Sequence, residues 1–352
     1  MGINSGSSLP VWVMKFSPDG KYLALGGNYP KIQLFWCSVL GSDILTPGLE
    51  LEAHTQSILD ISWNKASNFL LSASADSFVH LWSVDKTEPV SSFAHANFVT
   101  CVSFHPTVRY MQNANFFMSG CLDCSVRIWS IPQKNVVFSA QTTDYITAGT
   151  FTPSGDSAVI GLAHGQCMIF DYDKEDPKLR FLTQINCRNR RGVFSKGKKV
   201  TGIEFLDDTN FIVTTNDSRI RLYNIFSYNL LQKYKGLKNA QNPLRASISQ
   251  DGLYLICGSE NGQVYIWNKF QAQTCKQKSG RKQSISIKNS SFEVFKVSGK
   301  ADTVNACFAP ESVIKLAQQK LIQGGARHTV NRVILTATSD ARLQVYYNNL
   351  EI

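Results

Sequence analysis

The chain has 352 residues, 43% of them hydrophobic and 18% charged, with 36 Lys and Arg against 26 Asp and Glu for a net charge of +10. Its 23 Gly and 11 Pro exclude a collagen-like or low-complexity chain, and the apolar content is enough for a large core. No apolar run approaches the ~18 residues of a membrane-spanning helix, and the opening Met1-Gly2-Ile3-Asn4-Ser5-Gly6 lacks the basic and apolar parts of a signal peptide, so a soluble, cytoplasmic protein is expected.

From the N-terminus, one pattern recurs seven times. An alternating apolar segment ends in turn at Phe16, Trp63, Phe104, Phe151, Phe205, Ser249 and Phe308. Each is followed by a second strand-like run, a polar turn, and a third run closing at Phe35, Trp82, Trp129, Phe170, Tyr223, Trp267 or Tyr346. The units so defined span 10–35, 57–82, 98–129, 145–170, 199–223, 243–267 and 302–346 of a single domain. A fourth run follows the first six near Leu49–Ala53, Val90–Ala94, Val136–Ala140, Phe181–Cys187, Tyr228–Tyr234 and Phe292–Val297. None follows Tyr346, so the segment Ile3 to Leu9 is expected to supply the missing edge of the seventh unit. Within that unit, Val313, Leu316, Ala317 and Leu321 recur at helical spacing before Gly324-Gly325, which predicts a short helix over 311–322.

In the second and third units an Asp precedes the closing Trp by six residues, and two polar sets stand out: His54, Ser72, Asp76, Trp82 and His95, Ser119, Asp123, Trp129. Thr336, Asp340 and Tyr346 form a partial third. A Ser/His/Asp combination can serve nucleophilic catalysis, but its repetition at the unit period with Trp attached points to hydrogen-bonded bracing inside each unit. No catalytic residue, metal cluster or cofactor site is read from the sequence. Cys121-Leu122-Asp123-Cys124 is a lone CxxC, and Gly192 to Lys198 matches GxxxxGK but precedes a strand and has Lys199 where a phosphate loop needs Ser or Thr. The nine cysteines are read as reduced, mostly core, residues.

These repeats resemble the WD-repeat β-propeller family, and the stretches Leu59-Asp60-Ile61-Ser62-Trp63-Asn64-Lys65, Lys199-Val200-Thr201-Gly202-Ile203-Glu204 and Asn216-Asp217-Ser218-Arg219-Ile220-Arg221-Leu222-Tyr223 look like the WD repeat-containing protein 44 family. The first resemblance implies an all-β, seven-bladed WD-repeat β-propeller whose His, Ser, Asp and Trp sets hydrogen-bond within a blade. The second implies a Rab-effector setting in vesicle traffic, on or near endosomal membranes. The Rab-binding motifs of that family lie in an N-terminal extension not matched by these residues, so Rab binding does not carry over.

Charge falls into two segments: residues 178–199 hold eight basic and no acidic residues, and 268–300 hold eight basic residues and Glu293. In a propeller the first reaches the face carrying the turn aspartates, here the top face, as a loop over 188–199. The second is an insertion over about 268–291 that opens on the bottom face. The expected partner site is the top face: Arg188, Arg190, Arg191, Lys196, Lys198 and Lys199, with Arg245, Trp12, Phe98 and Tyr145 at the channel mouth, a composition suited to anionic groups and enriched in interface hot spots. The function expected is a non-catalytic scaffold that docks a protein or an acidic or phosphorylated peptide, as a monomeric propeller within a complex, one linked to a small GTPase included. Peripheral binding to anionic phosphoinositide membrane is the alternative and RNA binding the third reading, since the basic loops lack aromatic interleaving.

Overall fold

The structure is a computed structural model and describes residues 2–4, 10–38, 43–106, 116–172, 178–188, 199–269, 288–297, 303–323, 329–339 and 342–350. Seven sheets, one for each repeat, form a β-propeller. Their inner strands are Val11–Phe16, Ile58–Trp63, Val99–Phe104, Ile146–Phe151, Val200–Phe205, Ala246–Ile248 and Val304–Phe308. Each runs antiparallel to a second strand, then a third, with the fourth strands of blades one to six at Leu45–Glu52, Pro89–Ala94, Asn135–Gln141, Leu179–Asn186, Leu230–Tyr234 and Glu293–Lys296. No helix among the described residues is long and apolar enough to cross a membrane.

A small four-stranded sheet cannot keep an apolar face dry alone, and here each face is covered by the next blade. The seven buried clusters each combine two neighbouring blades. Val13, Ile32, Leu34 and Leu51 of blade one pack with Ile58, Ile61, Leu70 and Trp82 of blade two, for example. At the other end of the order, Cys307, Val333 and Leu335 of blade seven pack with Val11, Leu23 and Leu25 of blade one.

A backbone device repeats along the channel. In blades one to five the pairing of the inner and second strands shifts register around the second inner-strand residue: Trp12, Leu59, Thr100, Thr147 and Thr201. A bulge re-aims the side chain it displaces. The three threonines use this to donate across the blade gap, Thr100 to the Ile146 carbonyl at 2.8 Å, Thr147 to Val200 at 2.6 Å and Thr201 to Leu244 at 2.6 Å.

Closure comes from the N-terminal strand Gly2–Asn4, which lies antiparallel to Arg342–Leu350 and supplies the edge of blade seven. Of the expected Ile3–Leu9, residues 5–9 lie outside the described ones. The expected helix forms over Glu311–Gln323 between the inner and second strands of blade seven, burying Val313 and Ala317 against blades seven and one. Gly20, at φ +71, lets the turn of blade one approach this helix, since a Cβ there would lie 1.9 Å from Ser312 Oγ. One element had no sequence signal: Lys288–Asn289 pairs parallel with the outer strand of blade five before the chain returns to edge blade six. Asn289 is buried there, and its side chain donates to the Asn268 carbonyl at 3.1 Å.

Removing residues 1–9 strips blade seven of its edge and leaves the outer side of Arg342–Leu350 unpaired. Calorimetry is expected to show a melting temperature lower by several degrees; an unchanged melting temperature overturns this closure.

Candidate functional site

Blade two holds the full polar chain. Trp82 Nε1 donates to Ser72 Oγ at 2.8 Å, Ser72 bonds His54 Nε2 at 2.7 Å, and His54 Nδ1 donates to Asp76 at 2.7 Å. Burial pushes the Asp76 carboxyl up, but the bonds from His54 and from the Thr55 and Phe78 N–H groups outweigh it and hold it at about 2.

Blade three departs from the expected set. His95 Nε2 bonds Ser119 at 2.8 Å and Trp129 Nε1 donates to Ser119 at 2.9 Å, but His95 Nδ1 turns to the Phe93 carbonyl at 3.1 Å. Asp123 is taken instead by Arg127 Nη2 at 2.6 Å. Arg127 stands four residues after the turn aspartate, where its charged fork outcompetes a buried imidazole. Burial depresses His95 to about 4, so it is neutral and one nitrogen must accept. Arg221 and Asp217 repeat this ion pair in blade five. Blade two has His80 at that place, which leaves Asp76 to His54. Asp340 of the partial third set lies outside the described residues.

The channel contains a charge cluster that joins distant blades. Asp60, on the inner strand of blade two and 2% exposed, accepts from Arg245 Nη1 of blade six at 2.5 Å and pairs with Lys15 of blade one at 3.3 Å. The Ile61 and Val102 N–H groups complete its shell at 2.9 and 3.1 Å. Burial opposes the Asp60 charge, but Arg245, Lys15 and the Val102 N–H together hold its pKa below the usual carboxylate range. Glu204 of blade five receives the Ile248 N–H at 3.2 Å; burial raises it to about 7, only partly offset by that bond and by Lys15 and Arg245. A cavity of about 520 Å³ follows the channel toward its bottom end and is lined by Trp12, Lys15, Glu204 and Arg245 among others. The structure thus places Arg245 and Trp12 along the channel instead of on the rim proposed from sequence, and the Arg245 guanidinium is committed to Asp60 and the Leu59 carbonyl.

At the top rim the remaining described site residues occupy equivalent places. The carbonyls of Phe98, Tyr145 and Lys199 each accept an N–H from the turn of their own blade, from Leu122, Ala163 and Asn216 at 3.0, 2.9 and 3.1 Å. Blades three, four and five therefore present, in order, an aromatic, an aromatic and a cation. Phe98 and Tyr145 are 47% and 55% exposed. Arg188, on the connection from blade four to blade five, is fixed by Nε donating to the His164 carbonyl at 2.6 Å, and His164 is itself held by Asp144. Lys199 is half-buried, and desolvation lowers its pKa with no carboxylate to oppose it among the described residues. Arg190, Arg191, Lys196 and Lys198 lie outside the described residues.

Seven sheets closed by the first strand and braced by a Trp–Ser–His–Asp chain define a WD-repeat β-propeller, and the chain is a WD-repeat protein: the repeat profile described as "WD domain, G-beta repeat" matches residues 45–83, 87–130 and 238–268. Within that class it is similar to WD repeat-containing protein 44 of Xenopus laevis, 39% identical over 226 residues that make up 64% of this chain and 24% of that protein. An uncharacterized WD repeat-containing protein of Schizosaccharomyces pombe is 30% identical over 292 residues, 73% of this chain and 47% of that one. The 2-deoxy-glucose resistant protein 2 of Saccharomyces cerevisiae is 25% identical over 257 residues, 68% of this chain and 29% of that protein. The matched region is thus about a quarter to a half of each of these relatives.

Two measurements check the polar chemistry. Asp60→Ala strands Arg245 and Lys15 beside the channel and is expected to cost about 3 kcal/mol or more in denaturant unfolding, whereas breaking an exposed pair such as Lys31 with Glu52 costs far less. His95, depressed to about 4 in the fold against an unfolded value near ~6.5, contributes stability that is full above that value and is lost as pH falls toward 4. The loss of stability from pH 7 to 4.5 is accordingly smaller in His95→Gln than in the parent protein; equal losses in the two would show that His95 is not held neutral.

Proposed function

We propose that the protein is a non-catalytic scaffold that docks an acidic or phosphorylated peptide on the top rim, across Phe98, Tyr145, Arg188 and Lys199. WD-repeat propellers are protein-interaction scaffolds in general; the chemistry of the rim supports the finer reading. The observation that carries it is Lys199: half-buried, desolvated, with no carboxylate partner among the described residues, and next in ring order to an exposed Tyr145. An incoming anion restores what burial removes from the ammonium, and Arg188, already oriented by the His164 carbonyl, adds a second donor group. Phe98 and Tyr145 supply rigid apolar area of the kind that dominates interface energetics. The resemblance to the WD repeat-containing protein 44 family supports a place in vesicle traffic, within a complex linked to a small GTPase.

The test is fluorescence anisotropy with labelled acidic peptides, each with and without phosphoserine. Lys199→Glu and Tyr145→Ala are each expected to weaken binding at least tenfold. Trp36→Ala, which removes an exposed aromatic on the third strand of blade one, leaves it unchanged. Affinity that is indifferent to both rim variants overturns the assignment. So does flotation on phosphoinositide vesicles that depends on Lys199 while no peptide binds.

A further inference from the structure

The substitution of His80 for the arginine found in blades three and five leaves one buried imidazole in blade two that bracing does not use, beside two groups that it does. His80 is buried, 6% exposed, and its Nδ1 has no hydrogen-bond partner. An unpaired buried polar atom costs about 1–3 kcal/mol, so the Nδ1 of His80 is open to a further partner. His80 faces His54 with ring centroids 4.2 Å apart, and one donor atom from each of His54, Asp76 and His80 lies within 4.8 Å of the other two.

We propose that His54, Asp76 and His80 form a binding site for a divalent transition metal, best matched by zinc. Two imidazoles and one carboxylate are a three-ligand zinc set, with a fourth position left to water. The surroundings fit a ligand shell. Ser72 bonds His54 Nε2 and so fixes the ring with Nδ1 toward Asp76; the Thr55 N–H holds Asp76 Oδ2 at 3.0 Å and the Phe78 N–H holds Oδ1 at 3.0 Å. Partners of this kind orient first ligands at metal sites. The metal takes the place of the proton between His54 Nδ1 and Asp76, and that proton passes to Nε2, which then donates to Ser72 Oγ, so that His54 binds as a neutral imidazole. His80 then gains the partner that its Nδ1 lacks. Arginine at this place forecloses the site, as Arg127 does by occupying Asp123.

The sequence hid this set because its members stand at 54, 76 and 80, without a metal-ligand spacing, and two of them are accounted for by the repeat itself. The test is titration of chelator-treated protein with zinc by calorimetry and with cobalt by absorption. One zinc per chain is expected, and the cobalt complex shows the visible bands of a tetrahedral nitrogen and oxygen site with no sulfur charge-transfer band. His80→Arg, which installs the residue type of blades three and five and so is compatible with the fold, weakens zinc binding at least tenfold, with circular dichroism reporting that the sheets are intact. The cobalt spectrum of the parent protein stands as evidence even if that variant fails to fold. No uptake, a sulfur charge-transfer band, or a folded His80→Arg variant that binds equally well each overturns the site.

Discussion

The structure depends on one constraint: the apolar faces of each blade are made dry only by its neighbours. Of the buried clusters, the one that joins blade seven to blade one is what turns a row into a ring, because without it Val11, Leu23 and Leu25 on one side and Val333 and Leu335 on the other meet water. At about 1.5–3 kcal/mol for each such side chain, leaving this single interface open costs as much as most domains have in total stability. Gly2–Asn4 pairs the outer edge of blade seven, and the helix Glu311–Gln323 adds Val313 and Ala317 to the interface.

Polar groups settle how the blades are held once packed. The residue four positions after the turn aspartate decides that aspartate's partner. Where it is Arg127 or Arg221, the carboxylate goes to a guanidinium; where it is His80, the carboxylate remains with His54 and the chain through Ser72 to Trp82 closes. The repeated Ser and Trp bonds of blades two and three are the part that tolerates this exchange, since neither Ser119 nor Trp129 touches Asp123.

Much of this was legible in the sequence, for a physical reason: a blade is a local unit, and its alternation, its turn aspartate and its closing aromatic recur at a fixed period. The helix was legible for the same reason, as a 3.6-residue pattern bounded by glycines. What escaped was non-local. Arg245 and Asp60 are 185 positions apart and meet only because the ring brings blade six across from blade two, so Arg245 read as a rim cation when it is a channel strut. Lys288–Asn289 pairs parallel with another blade, which no alternation announces. The register shift at Thr100, Thr147 and Thr201 likewise aims their hydroxyls across the blade gap, to carbonyls more than forty positions away.

These displacements separate the channel from the rim as places to bind. In the channel, Arg245 and Lys15 already share Asp60, and Glu204, raised to about 7, contributes little negative charge below that pH; an entering anion must displace Asp60, which has four donors and almost no contact with water. The cost of stripping that carboxylate of its partners is the cost of a buried unpaired charge, several kcal/mol. At the rim the balance is reversed. Among the described residues Lys199 has lost water and gained no carboxylate, and Arg188 is positioned by a neutral carbonyl, not by an ion pair. An anion arriving there displaces no existing ion pair among the described residues. The same net basicity thus supports structure where it is paired, in the interior, and under the proposed function serves recognition where it is not, beside Tyr145.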